Sequence, residues 1–268
     1  MKPSVDRVKD NRVLIFSLLG IGFVVLISNI LGKNIAKTTT DFLFVPVSGT
    51  LLILAIIIAI RFKGKGSFGL SYIFFAGFAA TWFIAELIWM NYELLGKSNP
   101  FPYIDDAVYL SGYVFLWLFS RYYLKPVGSA ISKKMLGYAF LAMTVFLVPT
   151  FYTIYSSNPQ ASLQEIVWAG IYPILDAVLL FPTVIAMILF FKGSVSFLWS
   201  LMFIAILLNI VADSGFLYLD LDKSYSSGSP IDILYLWAYV LFSVGLYSQI
   251  KVFKKQKMKS FGKLDEFK

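Results

Sequence analysis

The chain has 268 residues, of which 59% are hydrophobic and only 14% charged, and its mean hydropathy is +0.77; a water-soluble domain, in which about a quarter of residues are charged, is excluded. It contains no Cys and no His, so disulfides, iron–sulfur clusters and thiolate chemistry are ruled out, and the commonest metal ligand and general base is missing. The net charge of +8 has to be located before it is read as affinity for nucleic acid, because basic residues beside membrane spans have a topological meaning.

The first apolar run, 13–31, follows a basic leader containing Lys2, Arg7, Lys9 and Arg12. It is too long for a secretory h-region and ends in Asn29-Ile30-Leu31-Gly32-Lys33 rather than a small-x-small cleavage site, so it reads as a retained first span. With about 20 apolar residues per crossing, spans fall near 13–32, 43–62, 68–95, 103–124, 135–156, 165–191, 195–219 and 231–250. Turns are expected at clusters such as Lys97-Ser98-Asn99-Pro100 and Ser226-Ser227-Gly228-Ser229-Pro230. The expected fold is all-α: a polytopic membrane protein of about eight transmembrane helices. It divides into a leader (1–12), a first four-helix half (13–126), a second (127–250) and a basic tail (251–268).

Of the 23 Lys and Arg residues, all but Lys33, Lys37, Lys97 and Lys223 fall on one face of this arrangement. The positive-inside rule makes the richer face cytoplasmic, with both termini inside the cell membrane. Acids show the opposite bias. Asp6, Asp10, Asp265 and Glu266 are cytoplasmic, whereas Asp41, Glu86, Glu93, Asp105, Asp106, Glu165, Asp176, Asp213, Asp220, Asp222 and Asp232 lie in the outer half or near the midplane. The rule says little about Asp and Glu, so this second asymmetry needs its own cause.

A shift of 126 residues superimposes the third and fourth spans on the seventh and eighth, with ten of 34 positions identical across Tyr92–Lys125 and Tyr218–Lys251. Asp106, Tyr109 and Tyr113 meet Asp232, Tyr235 and Tyr239; with one residue of slip, Ala85-Glu86 meets Ala212-Asp213. Shared hydrophobicity would match Leu with Leu, but not acids and tyrosine pairs. The pattern implies duplication, and because the repeat holds four spans its halves have the same orientation, related by an axis along the membrane normal. The match of spans one and two to five and six is weak.

Helical spacing places Trp82, Glu86, Trp89 and Glu93 on one stripe of the third span, with Asn209, Asp213, Phe216 and Asp220 as their equivalents on the seventh. Asp106, Tyr109 and Tyr113 form a stripe on the fourth, mirrored by Asp232, Tyr235 and Tyr239 on the eighth. An ionised Asp at the centre of a membrane helix costs about 2.5–3.5 kcal/mol on insertion scales, so such residues usually face a cavity or a partner. Asp106 and Asp232 sit where their helices begin and can serve simply as N-terminal caps. Glu86 and Asp213 lie deeper and fit either an interhelical hydrogen bond or a ligand. Asp176, about 11 residues into its span, is the hardest to explain by solvent exposure and points to a buried network or a functional role. The Tyr and Trp rows suit interfacial belts as well as a cation-binding box. Glu86, Asp106, Asp176, Asp213, Asp232, Tyr109 and Tyr235 are the candidate ligand-binding residues.

Asn99-Pro100-Phe101-Pro102-Tyr103-Ile104-Asp105-Asp106-Ala107-Val108-Tyr109-Leu110, Tyr172-Pro173-Ile174-Leu175-Asp176, Ala212-Asp213 and Gly228-Ser229-Pro230-Ile231-Asp232-Ile233-Leu234-Tyr235 together resemble the multi-pass N-terminal membrane region of bacterial and archaeal diguanylate cyclases and sensor histidine kinases. The resemblance covers about residues 80–250. It implies a sensory or anchoring module without catalysis of its own, with Asp106, Asp176, Asp213 and Asp232 as its matching acids. Such regions continue into a cytoplasmic output domain, whereas the sequence here ends about 18 residues after the last span, so the signal is expected to pass to a separate membrane or cytoplasmic protein. The tail, with Lys254-Lys255-Gln256-Lys257-Met258-Lys259, reads as a contact with anionic lipid rather than with nucleic acid.

The expected function is a non-enzymatic sensory or accessory protein whose outward-facing acidic and aromatic pocket takes a small cation or amine. No cofactor or metal is expected. A cation or proton-coupled transporter and a structural subunit of a membrane complex are the alternatives. Lipid chemistry is disfavoured by the absence of His and of any recognisable nucleophile or phosphate-handling motif.

Overall fold

The computed structural model describes residues 5–96, 104–157, 166–167, 170–191, 195–221 and 224–265, without the side chains of 5–11, 220–221 and 252–265. The expected turn at Lys97–Pro100, the motif residues up to Tyr103, and Glu165, Lys192, Asp222 and Lys223 lie outside the described residues.

Eight helices account for nearly all of the described chain: α1 (Val5–Leu31), α2 (Lys33–Phe62), α3 (Gly66–Leu94), α4 (Ile104–Leu124), α5 (Lys133–Ser157), α6 (Ile171–Phe190), α7 (Ser196–Leu221) and α8 (Asp232–Asp265). A short 3₁₀ segment, Lys125–Ala130, joins α4 to α5 and contains the expected boundary between the two halves. Seven helices are long and apolar enough to cross a membrane, all but α4. At 21 residues α4 has the length, but its tyrosines and Arg121 dilute its apolar character. α8 runs on as helix through Asp265, so the basic tail extends the last span along its axis.

Local chemistry ends the helices where the turns are needed. Between α1 and α2 there is one residue, Gly32, with φ of +128°. That region of φ is open to glycine and costly for other residues. Its N–H reaches the carbonyls of Ser28 and Asn29, closing orphan acceptors at the end of α1. α2 ends in a left-handed Lys63, whose N–H bonds back to Ala59 and Ile60.

The helix contacts close a ring: α2 packs on α3, α3 on α4, α4 on α6, α6 on α7, α7 on α8, and α8 on α2. α1 lies outside against α2 and α8, and α5 lies outside against α6. The two outer helices accordingly expose large apolar side chains, among them Phe16, Ile30, Val145 and Val148, as lipid-facing surfaces do. The ring is filled by aromatics. Phe75 of α3 meets Phe119 of α4 edge-on at 4.9 Å, and Phe78 meets Phe242 of α8 at 5.5 Å. Trp199 of α7 stacks on Phe119 at 5.7 Å. These rings lie toward the end of the bundle where α4 finishes and α8 continues outward.

At the other end, the turn 224–231 folds over the ring. Asn29 of α1 donates to the Gly228 carbonyl at 2.6 Å. Gly228 has φ of +87°, and a Cβ there would run into the backbone of Ala36 and Lys37 on α2. Both constraints require glycine. Gly228→Ala is therefore expected to lower the thermal unfolding midpoint in detergent, at a cost of about 1–3 kcal/mol. Gly20→Ala, where nothing lies within 4 Å of the added Cβ, is expected to leave it unchanged or slightly raised.

Candidate functional site: an acid and tyrosine layer across the ring

Glu86 stands eight residues before the end of α3, and Asp213 stands eight before the end of α7. At 1.5 Å rise per residue both acids sit about 12 Å below their helix ends. Asp106 and Asp232 lie at the starts of α4 and α8, at the same end of the bundle.

Each deep acid has two tyrosines about it. Tyr239 of α8 donates to Glu86 Oε1 at 2.7 Å, and Tyr109 of α4 is an electrostatic neighbour of the Glu86 carboxyl. Tyr235 of α8 donates to Asp213 Oδ1 at 2.6 Å, and the Tyr113 hydroxyl lies 2.8 Å from Asp213 Oδ2. The pattern is crossed. Tyr239 to Glu86 and Tyr113 to Asp213 both run between the segment 13–126 and the segment 127–250. Trp82 supports this layer by donating its indole N–H to the Tyr109 carbonyl at 3.1 Å.

Asp176 joins the same layer. It is the sixth residue of α6, which begins at Ile171 after Gly170, about one and a half turns from the helix start. Asp176 is 1% exposed, and its Oδ1 lies 3.1 Å from the Tyr113 hydroxyl that also faces Asp213.

The acids at the helix starts do more than cap. Asp106 accepts from Tyr172 of α6 at 2.6 Å, which fixes α4 to α6. Asp232 accepts the backbone N–H of Gly228 at 2.7 Å and the Tyr225 hydroxyl at 3.2 Å. Its oxygens thus hold the preceding turn, in addition to facing the partial positive charge of the α8 N-terminus. The same turn is fastened to α3, where Trp89 donates to Ser227 at 3.1 Å and Ser227 donates to Glu93 at 3.2 Å. Glu93 also pairs with Lys37 of α2.

All seven candidate residues thus fall in one layer at one end of the bundle. Tyr113, Tyr239, Tyr172 and Tyr225, none of them candidates, make five contacts to its acids, more than Tyr109 and Tyr235 make. Tyr113 and Tyr239 carried a signal, since they are identical across the repeat and one turn from Tyr109 and Tyr235. Asp41 was also missed as a site residue; it is 3% exposed on α2 and is an electrostatic neighbour of Glu86 and Asp232. Among the described residues no group of three or more acidic side chains is arranged to hold a metal ion. The layer can donate and accept hydrogen bonds and neutralise a small cation.

Asp232→Ala is expected to release the 224–231 turn and cost about 1–3 kcal/mol of stability in detergent, because the Gly228 amide and the Tyr225 hydroxyl lose their acceptor in a buried place. Lys37→Met, which breaks a half-exposed ion pair, is expected to cost less than about 1 kcal/mol. Comparison of the chain with protein-family models, with curated proteins and with solved structures finds no match in any of the three.

Proposed function

We propose that this is a non-enzymatic sensory or accessory membrane protein, in which the acid and tyrosine layer responds to a small positively charged species, a proton included, and passes the response to a separate partner protein. The observation that carries the reading is the crossing of the bonds. Tyr113 reaches Asp213 and Tyr239 reaches Glu86, so occupancy of either acid bears on how the two segments of the chain are held together. The tandem duplication fits this, with each half contributing one deep acid and two tyrosines. The excess of Lys and Arg at the opposite end favours an orientation with the layer toward the outside and both termini in the cytoplasm. In that orientation the exposed faces of α1 and α5 meet lipid or the partner.

Transport is the second reading, and one observation favours it. Asn209 Oδ1, Ser243 Oγ and Gln249 Oε1 are buried along α7 and α8 beyond the layer and have no hydrogen-bond partner among the described residues. Unpaired polar atoms of this kind attract water.

Reconstitution separates the readings. The sensory reading predicts no flux of protons or alkali cations above that of empty liposomes. It also predicts a thermal stability in detergent that shifts with pH, alkali cations or primary amines, and Asp213→Asn is expected to abolish that shift. Flux lost in Asp213→Asn would make the protein a carrier, and the absence of both effects would leave a structural subunit.

A further inference from the structure

We infer that Asp176, Tyr113 and Asp213 form a proton-binding site, in which one proton is held between the two carboxyls on either side of the tyrosine hydroxyl. The inference rests on the proposed function, in which a small positive species occupies the layer, and it names that species and its seat.

The argument is one of counting protons. The Tyr113 hydroxyl lies 2.8 Å from Asp213 Oδ2 and 3.1 Å from Asp176 Oδ1. A phenol has one hydrogen to donate, and an ionised carboxylate has none. With both carboxyls ionised, one of these two contacts would be an oxygen against an oxygen with nothing between them. A single added proton resolves it. Asp176 Oδ1–H donates to the Tyr113 oxygen, Tyr113 O–H donates to Asp213 Oδ2, and Tyr235 O–H donates to Asp213 Oδ1.

A second observation points the same way. Asp176 Oδ2 is buried and receives no hydrogen bond. The Asp213 carboxyl stands beside it, but two carboxylates are both acceptors and cannot bond without a proton. As the carbonyl oxygen of a neutral acid Oδ2 is tolerable there; as half of an ionised carboxylate it would be a bare charge in the membrane interior.

Among the described residues no basic side chain offers another solution. The elements packed on α6 are α4, α5 and α7. α4 brings Tyr113, Tyr109 and Asp106 to the layer, while its Arg121 is exposed at the far end. α7 brings Asp213, and α8, packed on α7, brings Tyr235 and Asp232. α5 turns Tyr138, Tyr152 and Tyr155 outward, and its Lys133 and Lys134 are exposed at its start. On α6 itself the titratable neighbour is Tyr172, engaged with Asp106. Among the described residues no group of three or more acidic side chains is arranged to hold a metal ion. A proton needs no more than what is present, and like carboxyls brought together commonly share one.

Infrared spectroscopy of the purified protein reads the proton directly, through the carbonyl stretch of a protonated carboxyl at neutral pH. Asp176→Asn is expected to fold, because its amide N–H can donate to the Tyr113 oxygen as the acid does, and to lose a carboxyl band that Glu86→Gln retains. Wild-type stability is expected to fall more steeply on going from neutral to alkaline pH than that of Asp176→Asn, whose remaining slope comes from the other buried carboxyls. Should Asp176→Asn fail to fold, Tyr113→Phe removes the acceptor, and the same band is expected to shift in frequency. A band unchanged in every folded one of these two variants would overturn the proton site. A thermal shift with alkali cations or amines that persists in that case would leave the sensory reading standing; its absence as well would remove both.

Discussion

A carboxyl group placed among apolar helices must be given hydrogen-bond donors or a positive charge, and in this chain the donors are tyrosines. There is no His anywhere in the sequence, and the described basic residues near the acidic end of the bundle pair outward, as Lys37 does with Glu93. Glu86 and Asp213 can therefore be accommodated only where phenolic hydroxyls converge on them. Helices α4 and α8 supply these hydroxyls from adjacent turns. Much of the ring's closure follows from meeting that requirement.

The hydroxyls of Tyr113, Tyr235 and Tyr239 reach Asp213 and Glu86 because α3, α4, α7 and α8 stand around a common centre. α2 and α6 complete the ring, and each adds an acid to the layer, Asp41 and Asp176. Below the layer, packing is carried by aromatic rings of Phe75, Phe78, Phe119, Trp199 and Phe242. Above it, the 224–231 turn is held by contacts from α1, α3 and α8. The bundle thus has one end packed largely by aromatic rings and another where acids and tyrosines are hydrogen-bonded to one another.

The all-helical, multi-pass character and the positions of most helices were legible in the apolar runs, because a span leaves some 20 residues of unbroken signal. α4 falls where the span 103–124 was expected, but its tyrosines and Arg121 lower the apolar signal on which a span is recognised, and it is the helix that is not apolar enough to cross a membrane. The clustering of Glu86, Asp106, Asp213 and Asp232 at one end could be read from helix spacing and the repeat. Which tyrosine meets which acid could not. Tyr113 belongs by sequence with Glu86, on the neighbouring helix, yet it faces Asp213; only closure of the ring makes that pairing. Asp176 is placed by its contact to Tyr113 in the same layer as Asp213, a relation that the length of the apolar run does not contain. Likewise Asp232, at a helix start, reads as a cap, while its bonds to Gly228 and Tyr225 depend on how the turn before it folds.

The central claim is that the crossed tyrosine–acid bonds hold the two segments together, and a double-mutant cycle measures it directly. Unfolding free energies in detergent would be compared for wild type, Tyr239→Phe, Glu86→Gln and the double variant, and for the corresponding set at Tyr113 and Asp213. The account predicts coupling of about 1–2 kcal/mol in each cycle. Additivity within about 0.3 kcal/mol in both cycles would contradict it.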